Sequence, residues 1–303
     1  MLASPFLPVP SIDPIVIGAD LSDGCGNERS PASVCIDKPL DWRGVARIAN
    51  GAKLVLSPGA RSRIDHARSL VEQIVERRIR AYGVNTGVGA LCDVVVSPSE
   101  QRALSRNILM SHAVGVGEPL RREETRAIIA AAVNNFAHGH SGVRLELVEL
   151  LATLLDSGLT PEVPAFGSVG YLSHMAHIAL VLIGEGFVRD DTGRMSAASA
   201  LQRLAHEPLV LEAKEGLSVV NGTPCVTGLA SLALARTERL LEWATPFPRC
   251  LSRTCVVKLR PSMPTRSRCG YRQGCPRWAR ACGRFLPTAA SLRRRSDARR
   301  RTR

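Results

Sequence analysis

Chemistry is first suggested by the histidines. Five of the seven fall in three short groupings: His112 beside Ser111, His138-Gly-His140, and His174-x-x-His177. Converging imidazoles can hold a metal, and a single imidazole in a polar pocket can move a proton or read a ligand. His138 and His140 are two residues apart, which turns them away from each other on a helix, so a shared ion is not expected. His174 and His177 can face one way, but no carboxylate or third ligand stands near them in sequence. His112 taken alone fits a structural role better than a catalytic one. No metal site is expected.

Other candidates sit in glycine-bearing loops. RAYGVNTGVGA carries Tyr82, Asn85 and Thr86 among Gly83, Gly87 and Gly89. A dinucleotide cradle needs a strand before the glycines and a helix opening from them. Here the spacing is G-x-x-x-G-x-G with no strand-helix-strand unit, so glycine's tolerance of positive φ is the simpler reason for it. FGSVG places Ser168 between Gly167 and Gly170, either as a chemical group or as a turn residue.

Helices must position these loops. Ile64, Ala67, Leu70, Val71, Ile74 and Val75 recur at three- and four-residue steps, the apolar stripe of a helix. Ser97, Pro98 and Glu100 form a helix start with a capping box. Residues 122–136, 145–155, 174–183 and 222–243 read as further helices, with no run of alternating strands and no repeat. The expected class is mainly α. Residues 1–38, rich in Pro, Asp, Ser and Gly, read as flexible, 39–244 as the folded region, and 245–303 as a tail.

Five motifs in order carry a resemblance: YGVNTGVGAL, SHAVGVGEPL, HGHSGVR, VPAFGSVG with AHIALVLIGEG, and AKEGLSVVNGTP. Together they resemble the aromatic amino acid lyases, and the histidine ammonia-lyases among them, from about Leu40 to Trp243. The resemblance implies elimination of ammonia from an aromatic amino acid, with L-histidine going to urocanate. It implies no external cofactor, because such enzymes build a methylidene-imidazolone electrophile from their own Ala-Ser-Gly. It implies Tyr82 as the base and Asn221 as the holder of the electrophile's carbonyl, although Asn221 also suits an N-cap of the helix after it. Ser111, His112 and Asn85 are implied on the substrate side, with Ser111-His112 reading the side chain. A site built to hydrogen-bond a substrate rejects apolar analogues. A homotetramer is implied as well. Alternatives are a lyase for another amino acid and an inactive relative.

Two departures qualify the resemblance. Gly170 is followed directly by Tyr171, Leu172 and Ser173, where the family has Ala-Ser-Gly before its helix. Ser168 is then the one substitute precursor to name, but a β-branched Val169 stands where the family has glycine. The second departure follows Trp243, where the family continues as a long helical bundle. Residues 245–303 hold 17 of the 40 Lys and Arg against a single acid, Asp297, with 5 of the 9 cysteines and 6 of the 19 prolines. This mixture reads as a GC-rich gene translated out of frame from near codon 245. The rival is a nucleic-acid-binding arm, with Tyr271 and Trp278 as stacking residues. No C-x-x-C and no histidine in it support zinc.

Charge separates the two regions. The tail carries +16, while residues 1–244 carry 23 basic and 26 acidic side chains, a net −3. The opening MLASPFLPVP lacks the form of an export signal, and the apolar run near ALVLIG is about half a bilayer span. Scattered cysteines suit a reduced compartment. A cytoplasmic protein without membrane or nucleic-acid partners is expected.

Overall fold

The computed structural model describes residues 33–89, 92–168 and 172–244. Among the described residues the first element is a short strand, β1 (Val34–Ile36), followed by α1 (Trp42–Ala49), β2 (Leu54–Leu56) and α2 (Pro58–Glu76). After the Tyr82 loop come α3 (Pro98–His112), β3 (Val116–Pro119), α4 (Arg122–Ala137) and α5 (Leu145–Ser157). Next are β4 (Thr160–Pro161), β5 (Pro164–Phe166), α6 (Leu172–Leu182), β6 (Phe187–Asp190), β7 (Gly193–Ser196) and α7 (Ala197–Arg203). The short α8 (Glu215–Val220) leads into the long α9 (Pro224–Ala244). The protein is mainly α, as its periodicity suggests.

The strands form three small sheets: parallel β1–β2, antiparallel β3–β5, and antiparallel β4–β6–β7. Strands of two to four residues are too short for alternation to reveal them. One correction follows at the N-terminus. Val34–Ile36 pairs in register with Leu54–Leu56, so the flexible reading of residues 1–38 does not hold there. The rest of that reading falls in residues 1–32, outside the described residues, as does the tail from 245 onward.

Helix starts follow local chemistry. Asp41 caps α1 by accepting the Gly44 N–H at 2.8 Å. Ser57 caps α2 by accepting the Ala60 N–H at 3.0 Å, with Pro58 in the first turn. The Ser97–Glu100 capping box forms as the spacing predicts. Gly158, with φ +77°, closes α5 in the left-handed region that glycine adopts freely.

The core is organised around α4, whose residues from Thr125 to Val133 are all buried. Its alanines let other helices approach closely. On α9, a Cβ added to Gly228 would lie 2.7 Å from the backbone of Ala127 and Ile128. α1, α5 and α9 all pack on α4.

Arg126 is the charged residue among those buried on this helix, being 5% exposed, and among the described residues it forms no ion pair with a carboxylate. Its guanidinium donates to Ala49 O at 3.1 Å, to Ile48 O at 2.8 Å and to Leu155 O. These carbonyls close α1 and approach the end of α5, where orphan acceptors and the negative pole of the helix dipole gather. Burial, and then Arg122, pull its pKa below the usual arginine value.

The continuous stretch Glu215–Ala244 is long and apolar enough, by length and composition alone, to cross a bilayer. Packing covers one side of it, while Val226, Leu234, Leu240, Leu241 and Trp243 remain exposed. Pro224, Cys225, Gly228, Ser231 and Leu232 are buried, and α9 rests on α1 and α4.

Candidate active site

The Tyr82 loop is held by its own polar side chains. The Asn85 amide donates to Ile79 O at 2.8 Å and accepts the Ala81 N–H at 2.9 Å. The Thr86 hydroxyl accepts the Gly83 N–H at 3.2 Å and donates to Gly87 O at 3.0 Å. Both residues are buried, so Asn85 is committed to the loop's backbone. Gly83 has φ +63°, and a Cβ there would lie 2.1 Å from Leu217 Cδ2 on α8. The positive φ favours glycine, and the Leu217 side chain of α8 fills the space a Cβ would take. Tyr82 is 60% exposed, and its hydroxyl accepts the Gly89 N–H at 3.3 Å.

Ser111 and His112 end α3. The Ser111 hydroxyl donates to Ile108 O at 3.0 Å. His112 Nδ1 lies 2.8 Å from the same carbonyl and 3.1 Å from Ser111 Oγ. A carbonyl only accepts, so Nδ1 carries a proton, and in the neutral form of the ring Nε2 is the acceptor.

The chain then turns into β3, whose Val116 is the register partner of Phe166 on β5. This pairing brings the Ser168 turn beside the His112 segment. Gly167, at φ +89°, would place a Cβ 3.0 Å from Val114 O. Ser168 Oγ accepts the Ser173 N–H of α6 at 3.1 Å. The hydroxyl is thereby tied to the start of the helix.

Asn221 closes α8: its N–H donates to Leu217 O at 3.0 Å, and φ −77°, ψ 154° end the helix there. The expected N-cap role toward the following helix is therefore corrected. α9 starts at Pro224, and Asn221 lies three residues upstream, on the far side of Gly222. Asn221 is exposed, and its side chain makes no hydrogen bond among the described residues.

α3, α6 and α8 pack against one another. The structure thus gathers the Ser111–His112 end, the Ser168 turn and the α8 helix leading to Asn221 into one unit, with the Tyr82 loop seated on α8. His138 caps α4, and His140 is exposed in the following loop. No cluster of metal-ligating side chains occurs among the described residues.

Three supporting residues escaped sequence reasoning. Glu215 is fully buried on α8 and binds Arg144 through two hydrogen bonds, at 3.0 and 2.9 Å. It also accepts the backbone N–H of Arg144 at 3.0 Å and of Glu212 at 2.8 Å. Burial pushes this carboxyl up, but the Arg144 and backbone hydrogen bonds outweigh it and hold the pKa below the usual glutamate value. Ser218 adds a bond to Ser141 O at 2.8 Å, so the HGHSGVR loop and α8 are fastened together. Arg144 and Glu215 are far apart in sequence, and no local pattern announces them.

Residues 40–247 match the family described as aromatic amino acid lyase. The histidine ammonia-lyase of Symbiobacterium thermophilum is 45% identical over 203 residues, covering 66% of this chain and 40% of that one. The histidine ammonia-lyase of Myxococcus xanthus is 42% identical over 198 residues, covering 64% and 39%. Among solved structures, the tyrosine aminomutase of Streptomyces globisporus superposes with a TM-score of 0.68 at 38% identity, covering 71% of this chain and 41% of that one. The chain thus spans about 40% of the length of these curated relatives. With five loop motifs in order, one helical scaffold and a family match over two thirds of its residues, the chain belongs to the aromatic amino acid lyase family.

Proposed function

We propose that this chain is built on the plan of an ammonia-lyase acting on L-histidine, with urocanate as the product of the full reaction. The observation that carries this reading is the geometry of His112. Its Nδ1 is held by Ile108 O, which leaves Nε2 to accept a hydrogen bond from a substrate imidazole N–H. Ser111 fixes the same carbonyl and keeps the ring in place. Tyr82, exposed and tied only to Gly89 N–H, is the residue for proton removal. Asn221, exposed at the end of α8, is the polar group for the electrophile's carbonyl.

The electrophile itself does not fit the residues present. The sequence contains no Ala-Ser-Gly. Ser168, the substitute in the right turn, has its hydroxyl bound to α6, and Gly167 is held at φ +89° against Val114. What the chain's own residues supply is recognition and proton handling, and a substrate-binding relative without turnover is the reading favoured for the chain as it stands.

Titration calorimetry tests recognition. A pocket that hydrogen-bonds the imidazole should bind L-histidine at least about tenfold more tightly than L-phenylalanine, and His112→Leu should erase the difference. Equal affinity for the two amino acids would overturn the histidine assignment. Ultraviolet absorbance of urocanate tests turnover, and none is expected. Urocanate formation abolished by Tyr82→Phe would overturn the non-catalytic reading and uphold the lyase one.

A further inference from the structure

The first two turns of α6 touch three segments in succession. The Ser173 N–H donates to Ser168 Oγ. His174 Nε2 lies 3.3 Å from Ala165 O on β5. His177, one turn on, accepts the Gly115 N–H at Nε2, 3.1 Å away. One end of the helix thus holds the Ser168 turn, the strand leading to it, and the segment between His112 and β3.

The Gly115 contact admits little freedom. A Cβ at Gly115 would lie 2.9 Å from His177 Nε2 and 3.0 Å from Pro164 Cβ. An N–H can be donated only to an unprotonated ring nitrogen, so His177 is neutral with its proton on Nδ1. Burial, and then neighbouring His174, lower its pKa in the same direction. Gly115 stands three residues beyond His112, and the connection between α3 and β3 is otherwise tied by the Ala113 and Val114 N–H groups to Leu109 O and His112 O. Those two bonds fix the segment to α3 itself. The His177 bond fixes it to α6.

We infer that His177 is a positioning residue: through Gly115 it sets where the Ser111–His112 pair stands relative to the Ser168 turn. The functional part of this inference rests on the proposed reading of Ser111–His112 as the substrate-recognising pair. It assigns His177 no contact with substrate.

Gln and Leu substitutions at His177 separate this role from plain packing, because glutamine places an acceptor oxygen near the position of Nε2 and leucine does not. Gly115 amide exchange and the His112 ring resonance are followed by NMR on the full chain, and L-histidine affinity by calorimetry. His177→Gln should keep Gly115 exchange, the His112 signal and the L-histidine Kd within about threefold or one line width of the parent. His177→Leu should speed Gly115 exchange about tenfold, shift the His112 ring signal and weaken L-histidine about tenfold, the scale of one hydrogen bond. If the leucine variant does not fold, His177→Asn, whose amide stops short of Gly115, replaces it. An unmoved His112 signal in the leucine or asparagine variant, or a glutamine variant that behaves like them, overturns the inference. If the parent binds no L-histidine, the substrate reading fails, and the positioning role stands or falls on the His112 and Gly115 signals alone.

Discussion

Replacing Glu215 by leucine should be among the most damaging single changes in the fold. The carboxylate is fully buried and accepts four hydrogen bonds, two from the Arg144 guanidinium and two from backbone N–H groups. Its loss strands those two N–H groups, at about 1–3 kcal/mol each. It also takes from Arg144 its buried partner, leaving it Glu146 at 3.3 Å and Val210 O at 2.7 Å, and breaking a buried pair costs about 3–5 kcal/mol. The Arg144 side chain is 27% exposed, so it regains some water, and the lower end of that range applies, about 3 kcal/mol. That is a large share of a stability of about 5–15 kcal/mol. Urea unfolding should show the midpoint falling with little change in slope. Glu215→Leu combined with Arg144→Leu should be less harmful than the sum of the two by about 1 kcal/mol or more, as contacting residues couple. The pH dependence has a definite sign. The folded carboxyl titrates below its unfolded value, so its contribution is complete above the unfolded pKa and is lost as pH falls through the folded one. The leucine variant should lack this part of the acid loss. A cost below about 1 kcal/mol, or strictly additive variants, would refute the view that this pair fastens α8 to the HGHSGVR loop.

Gly228→Ala should force α9 away from α4, because its Cβ would sit 2.7 Å from the Ala127 backbone. Thermal unfolding should report a loss of about 1–3 kcal/mol, and an unchanged midpoint would show that the two helices are not in close contact. Ser168→Ala removes the acceptor of the Ser173 N–H and should cost about 1 kcal/mol. The intact mass of both parent and variant should match the sequence without loss of water, and a two-water deficit present in the parent and gone in the variant would make Ser168 an electrophile precursor.

Much of this protein is legible along the chain because helices are local. A repeat of three and four residues marks the body of α2, and the Ser97–Glu100 capping box marks the start of α3. Periodicity places α4 and α5 at 122–136 and 145–155, within two residues of Arg122–Ala137 and Leu145–Ser157. The glycine loops are legible for the same reason, since Gly83 and Gly158 adopt backbone conformations that other residues resist. The order of the loop motifs carried the family. What only the tertiary structure decided is which distant atoms satisfy each polar group. His174 and His177 can be seen to share a helix face, but their partners lie far off in the chain, Ala165 O on the three-residue β5 and Gly115 N–H in the connection before β3. Arg126 is buried because two other helices end beside it, and nothing in its own segment signals that. Glu215 finds Arg144 across 71 positions. Hydrogen bonds between remote segments have no period and no fixed spacing. They are set by how helices pack, and packing depends on the whole core at once.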